Sequence, residues 1–176
     1  MALCLALAGA GLASLPMSLA RAQDSHLPQP RSLKALLARI GRDGRPVVAM
    51  FSIDGCPWCA AIRREQLNSL LREQAERGVQ VVEFNMGDST AFDDANGAVA
   101  GAGPLPARWR EAASPAALAR LLGVKIAPTL VFLGPDGEVA ERLVGYGSPD
   151  FFSAYLDERI DQARRAVGAA RRPAAS

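Results

Sequence analysis

Apolar residues at Leu33, Leu36, Leu37 and Ile40 recur in three- and four-residue steps, which predicts an amphipathic helix over 32–44. Ser32 can cap its start, and Gly41 and Gly44 close it. The pattern then changes. "PVVAMFSI" (46–53) is a short continuous apolar run rich in β-formers, as a strand buried on both faces requires. In 59–78, apolar positions at Ile62, Leu67, Leu70 and Leu71 return to helical spacing and the run ends at Gly78. "VQVVEFNM" (79–86) reads as a second buried strand. Helix, strand, helix, strand is the order of a βαβ unit with parallel strands. Further on, Ser114 and Pro115 form a strong start signal for a helix over 114–124. Residues 127–145 read as two strands joined at Gly134-Pro135-Asp136-Gly137, a hairpin with suitable turn residues. A second Ser-Pro start opens a final helix over 148–168, with Phe152, Tyr155, Leu156 and Ile160 expected toward the core. No internal repeat is present, and the class is α/β.

Segments without such periodicity set the boundaries. Residues 23–31, "QDSHLPQPR", are polar with two prolines and read as a linker to a domain over 32–168. Residues 87–113 are rich in Gly, Ala, Pro and Asp and too long for a plain connection, so they read as an insertion. Residues 169–176 read as a flexible tail. The first 22 residues differ from all of these. An apolar stretch, Pro16 and the small-x-small triplet Ala20-Arg21-Ala22 match an export signal cleaved after Ala22. One feature departs from that pattern: no Lys or Arg precedes the apolar run. Pro16 argues against a membrane anchor, which needs about 20 continuous apolar residues. The expected location is therefore the periplasm, with no anchor after cleavage.

At 176 residues the chain suits one domain with a sizeable core. Its net charge of +2, with acidic and basic residues interspersed, does not point to nucleic acid. His26 is the sole histidine and lies in the linker, where nothing would position it for chemistry. Cys4 leaves with the signal, so the mature chain keeps Cys56 and Cys59 alone.

"FSIDGCPWCAA" (51–61) sets that pair at the junction of a strand and a helix. As a staple it is weak: chain entropy gives about 2 kcal/mol for so short a loop, against about 4.7 for a loop of roughly 100 residues. As a closed zinc site it supplies two of four ligands, and no second cysteine pair exists. A redox role uses the spacing best. Cys56 would face the unpaired N–H groups of a helix start, which favour thiolate. Cys59, one turn later, comes round to the same side. Pro57 loses nothing by lacking an N–H in the first turn and stiffens the loop. Trp58 either stacks on a protein substrate or packs partly buried. Trp109 either packs the insertion onto the body or contributes to a binding surface.

The element order, "GCPWC" after a strand and "KIAPTLVFL" (125–133) before the hairpin together resemble the thioredoxin fold, and most closely the exported thioredoxin-like thiol:disulfide oxidoreductases of bacteria. The resemblance spans roughly 32–165, interrupted by 87–113. It implies a central mixed sheet flanked by helices, with Cys56 as exposed nucleophile and Cys59 as buried resolving thiol. It further implies that Pro128 is a cis-proline facing the cysteines, with the small Ala127 leaving room for a bulky partner. Many thioredoxins carry a buried acid six residues before the first cysteine. Met50 stands there instead, and Glu83, the single acid of its strand, is the candidate for moving the proton of Cys59. A buried carboxyl in that role would hold its proton to higher pH. The alternatives for Glu83 are an exposed edge position or a pair with an arginine. The implied partners are protein thiols or disulfides and an upstream membrane redox protein, with no cofactor or metal. A disulfide reductase is preferred over an oxidant, since neither a full helical insertion nor a histidine between the cysteines is present. The missing long N-terminal dimerisation region argues against a dimeric isomerase and for a monomer. A non-catalytic or metal-handling module of the same fold is the alternative class.

Overall fold

The computed structural model describes residues 26–95, 107–147 and 149–170. The signal and its cleavage site, the start of the linker, the centre of the insertion, Ser148 and most of the tail lie outside them.

Helix α1 (Leu33–Asp43) starts as expected, with Ser32 accepting from the Ala35 N–H, and stops at Gly44, whose φ of 66° suits glycine. Strand β1 (Val47–Ser52) follows. The next helical rod differs from its expected 59–78 span. It comprises α2 (Pro57–Ile62), a π-helical segment (Arg63–Leu67) and α3 (Asn68–Glu73), so it includes Pro57 and ends five residues before Gly78. Strand β2 (Gln80–Asn85) lies beyond a turn. After it come α4 (Pro115–Leu121), β3 (Thr129–Gly134), β4 (Gly137–Val144) and α5 (Pro149–Ala170). Short 3-10 turns occupy Asp93–Ala95 and Ala107–Trp109.

The four strands form one mixed sheet in the order β2-β1-β3-β4, with β1 and β2 parallel and the remaining pairs antiparallel. Alternation along the strands divides the core in two. Val47, Ala49, Phe51, Val82 and Phe84 pack with α1, α4 and Trp109. Val48, Met50, Val79 and Val81 face the rod and α5. Because both faces are covered, β1, β2 and β3 are buried almost throughout rather than at alternate positions, and Glu83 is the one charged residue within them.

Two expectations change in the structure, and the open choice for Trp109 is decided. The linker is tied down from Leu27 onward: Leu27 is buried, and Pro28 C=O accepts from the Glu83 N–H on the open side of β2. That single leucine among polar neighbours anchors the segment. Tyr155 is half-exposed, because the buried stripe of α5 runs through Phe152, Leu156, Ile160, Ala163 and Val167 and leaves Tyr155 at its flank. Trp109 is fully buried and donates its indole N–H to Pro135 C=O at 3.1 Å, so it packs the edge of the insertion onto the β3–β4 turn.

Candidate active site

The site is built where β1 hands over to the rod. Gly55, with φ of 68°, turns the chain without strain, and Cys56 takes the N-cap position in extended backbone. Its Sγ accepts from the Cys59 N–H at 3.1 Å, and Pro57 occupies the first helical turn. A hydrogen bond of this kind stabilises negative charge on sulfur once the pair is reduced. Cys56 and Cys59 are joined as a disulfide with Cα atoms 5.3 Å apart. They differ in access: Cys56 is part-exposed, whereas Cys59 is fully buried.

The Ala127–Pro128 peptide is cis. Phe51 lies opposite Thr129 in the β1–β3 ladder, so Pro128 falls beside the end of β1, from which the chain enters the cysteine loop. Pro128 is buried and Ala127 part-exposed. Thr129 donates its hydroxyl to Ile126 C=O, and Pro128 C=O accepts from the Gly145 N–H at 2.8 Å, which holds the turn. Around this end stand three exposed apolar side chains, Ile53, Trp58 and Ile126.

Met50 is fully buried in the core layer under the rod, and Glu83 is its partner on β2. Glu83 faces the cysteine-bearing rod, as its place in the strand requires, but it is not a lone carboxyl. Arg63 Nε lies 3.0 Å from Oε2 and Nη2 lies 3.0 Å from Oε1, while the Ser52 hydroxyl donates to Oε1 at 2.5 Å. The arginine pair, one of the alternatives left open for Glu83 by the sequence, is thus the arrangement found. A cleft of about 350 Å³ runs from Cys56 and Pro57 past Arg63 to Glu83, with His26 and Asp54 also on its walls. Sequence reading missed Arg63 and Ser52. The available signal was the i,i+4 spacing of Cys59 and Arg63, which places both on one face of a helix. Further along the same rod, the Tyr146 hydroxyl donates to Glu65 at 2.6 Å. Burial, aided by that carboxylate, raises the Tyr146 pKa above the ordinary phenol value.

Among the described residues, no cluster of three or more Cys, His, Asp or Glu is placed to hold a metal, and no helix is long and apolar enough to cross a membrane.

A mixed four-stranded sheet with a C-x-x-C disulfide at a helix start and a cis-proline alongside defines a thioredoxin-like fold with an oxidoreductase-type cysteine pair. The family profile of the thioredoxin-like domain matches residues 33–160, and the chain belongs to that family. Among solved structures, it is similar to the DsbH oxidoreductase (18% identity, TM-score 0.51, 88% of this chain and 95% of that one). It is also similar to thioredoxin f2 of Chlamydomonas reinhardtii (20% identity, TM-score 0.50, 76% and 95%). The periplasmic thioredoxin SoxS of Paracoccus pantotrophus matches at 27% identity and TM-score 0.42, over 68% and 99%. No curated protein matches the chain.

Proposed function

We propose that the protein is an exported thiol:disulfide oxidoreductase that reduces disulfides in protein substrates. The observation that carries this reading is the asymmetry of the pair: Cys56 reaches solvent and accepts a backbone N–H, while Cys59 is buried one turn behind it. In the dithiol state, the Cys56 thiolate attacks one sulfur of a substrate disulfide. A mixed disulfide forms and one substrate thiolate leaves. Cys59 then gives up its proton and attacks Cys56 Sγ, which releases the second substrate thiolate and forms the Cys56–Cys59 disulfide. Two electrons have passed to the substrate, so a dithiol donor must restore the pair, and an upstream membrane redox protein suits that role. Ile53, Trp58 and Ile126 supply an apolar rim for a protein substrate, and Ala127 beside Pro128 leaves its backbone accessible for strand-like pairing. Pro57 limits the freedom of the loop between the sulfurs. Export rests on the apolar leader and the Ala20-Arg21-Ala22 triplet.

The test is a Cys59→Ser trap expressed in cells. Substrate proteins held on Cys56 as mixed disulfides, released by dithiothreitol, are expected. A trap that captures no protein, together with failure to catalyse insulin reduction by dithiothreitol, would refute the reading.

A further inference from the structure

The cleft at Cys56 does not end at Glu83. A second cleft, of about 370 Å³, begins there and shares Gln29, Glu83 and Asn85 with the first. It continues between the segment before α1 and the first residues of the insertion, past Asp88 and Thr90 to Phe92. Together they form one trough that leaves Cys56 across the end of β2, on the side of β1 away from β3. Its walls are fixed. The Asp93 N–H donates to Arg31 C=O at 2.8 Å, and the buried Phe92 ring meets Phe84 edge-on at 6.1 Å between centroids. A trough already formed costs little ordering when a ligand enters. Its charge is one-sided. Arg31 and Arg63 are its cations, and Asp54, Glu83, Asp88 and Asp93 are its carboxylates, with His26 also on the wall. Arg63 pairs with Glu83 and Arg31 with Asp93. Among the described residues, Asp54 and Asp88 have no cation: Asp54 accepts from the Asn85 amide at 2.7 Å and Asp88 from the Thr90 N–H at 2.8 Å. The Thr90 hydroxyl and N–H hold the Asp88 carboxyl below the ordinary carboxylate value.

We propose that this trough is a subsite for the residues flanking a substrate's cysteine, and that it selects protein disulfides with a lysine or arginine beside the reacting sulfur, Asp54 and Asp88 being the specificity-determining residues. The inference names a substrate class for the proposed exchange reaction and rests on Cys56 being the attacking sulfur. A substrate cysteine joined to Cys56 brings its neighbours to the mouth of the trough. Asp54, two residues before Cys56, meets the nearer of them, and Asp88, beyond Asn85, the farther. A cationic side chain gains from carboxylates that have no counter-charge of their own, and an acidic one is repelled. This preference runs against the net charge of +2 on the whole chain, which alone would favour acidic partners.

The measurement uses the reduced Cys59→Ser protein and short peptides whose single cysteine is held in a mixed disulfide with thionitrobenzoate. The peptides differ only in the residues flanking that cysteine: lysine, glutamine or glutamate. The Cys56 thiolate attacks the peptide sulfur, a Cys56–peptide disulfide forms, and thionitrobenzoate leaves as a coloured thiolate whose release gives the rate constant. Each rate is divided by that of the same peptide with mercaptoethanol, which removes the intrinsic reactivity of the disulfide. At low salt the lysine peptide is expected to react about ten-fold faster than the glutamate peptide, with glutamine between. High salt should shrink that ratio to about two-fold. Asp54→Asn combined with Asp88→Asn should do the same at low salt, whereas Asp161→Asn, on α5 in a separate cleft, should leave the ratio unchanged. A change in the Cys56 thiol itself moves all three rates together and cancels in the ratio. Equal normalised rates in the parent, or a lysine preference that the double variant keeps, would overturn the proposal. If the double variant does not fold, each single variant is expected to lower the ratio by about three-fold, and a ratio that neither moves refutes the assignment. The assay needs one exchange step and no turnover. A lysine preference in a protein that fails to reduce insulin would therefore sink the reductase reading and leave the trough standing, and insulin reduction with equal peptide rates would do the reverse.

Discussion

At the start of the rod, Pro57 and Trp58 are exposed, Cys56 is part-exposed, and the contacts are with solvent and the cleft. One turn beyond the cysteines the same rod is bolted down on two sides. Arg63 reaches Glu83 on β2, and Glu65 holds the hydroxyl of Tyr146, which follows β4. Both anchors leave from the π-helical segment, a wider turn of the kind that often occurs at functional sites. The difference shows how one helix can serve a reacting group and a scaffold together. Thiol exchange needs a sulfur that an incoming disulfide can reach, whereas a buried partner sulfur needs a helix that does not shift when the pair opens.

The contrast is broken most severely at the open end. Cys56→Ser is expected to lower disulfide reduction by at least about 10³-fold, because it removes the attacking atom. Thermal unfolding of the reduced protein is expected to stay close to that of the reduced parent. The anchored end should behave in reverse. Arg63→Met leaves the Glu83 carboxylate buried without its cation and is expected to cost about 3 kcal/mol in denaturant unfolding while disulfide exchange persists. Trp58→Ala tests the rim: kcat/KM for a protein disulfide should fall by about five-fold, roughly 1 kcal/mol, with a small aromatic disulfide reduced at the parent rate.

The smallest effect concerns the second anchor. The raised Tyr146 pKa means that the folded state holds the phenolic proton more tightly than the unfolded state does. The stabilisation is thus fully present below the unfolded tyrosine value of about 10 and is lost as pH rises through the folded value. Tyr146→Phe should lower stability near neutral pH by about 1 kcal/mol and flatten the alkaline part of the stability profile. A parent and variant with parallel profiles from neutral to strongly alkaline pH would remove Tyr146 as an anchor.

The fold was legible in the chain because its signals are local. Ser32 and Gly44 bracket α1, Ser114-Pro115 opens α4, and the apolar runs of β1, β2 and β3 match strands covered on both faces. The cysteine pair was legible for a similar reason, since its spacing and its place after a strand lie within eleven residues. Pro128 needed the family resemblance, because nothing local distinguishes a cis from a trans proline there. The Arg63–Glu83 pair was not legible. An acid within an apolar run signals that some partner exists, but its identity depends on the fold, and several other arginines lie in the same stretch. The π-helical segment has no periodicity of its own to announce it. Leu27 was hidden because a single buried residue has no period, and Tyr155 because aromatic character at the edge of a helical stripe does not separate core from flank.

The central claim is that Cys56 and Cys59 form a reversible redox couple. Equilibration of the purified protein across a series of reduced and oxidised glutathione, followed by trapping of free thiols and mass analysis, tests it directly. A single two-electron transition, with dithiol and disulfide interconverting from either direction and Cys56 the sulfur found joined to glutathione in the Cys59→Ser protein, is the result predicted. A pair that stays disulfide-bonded even after long exposure to excess dithiothreitol, or one whose glutathione adduct forms on Cys59 and not on Cys56, would contradict it.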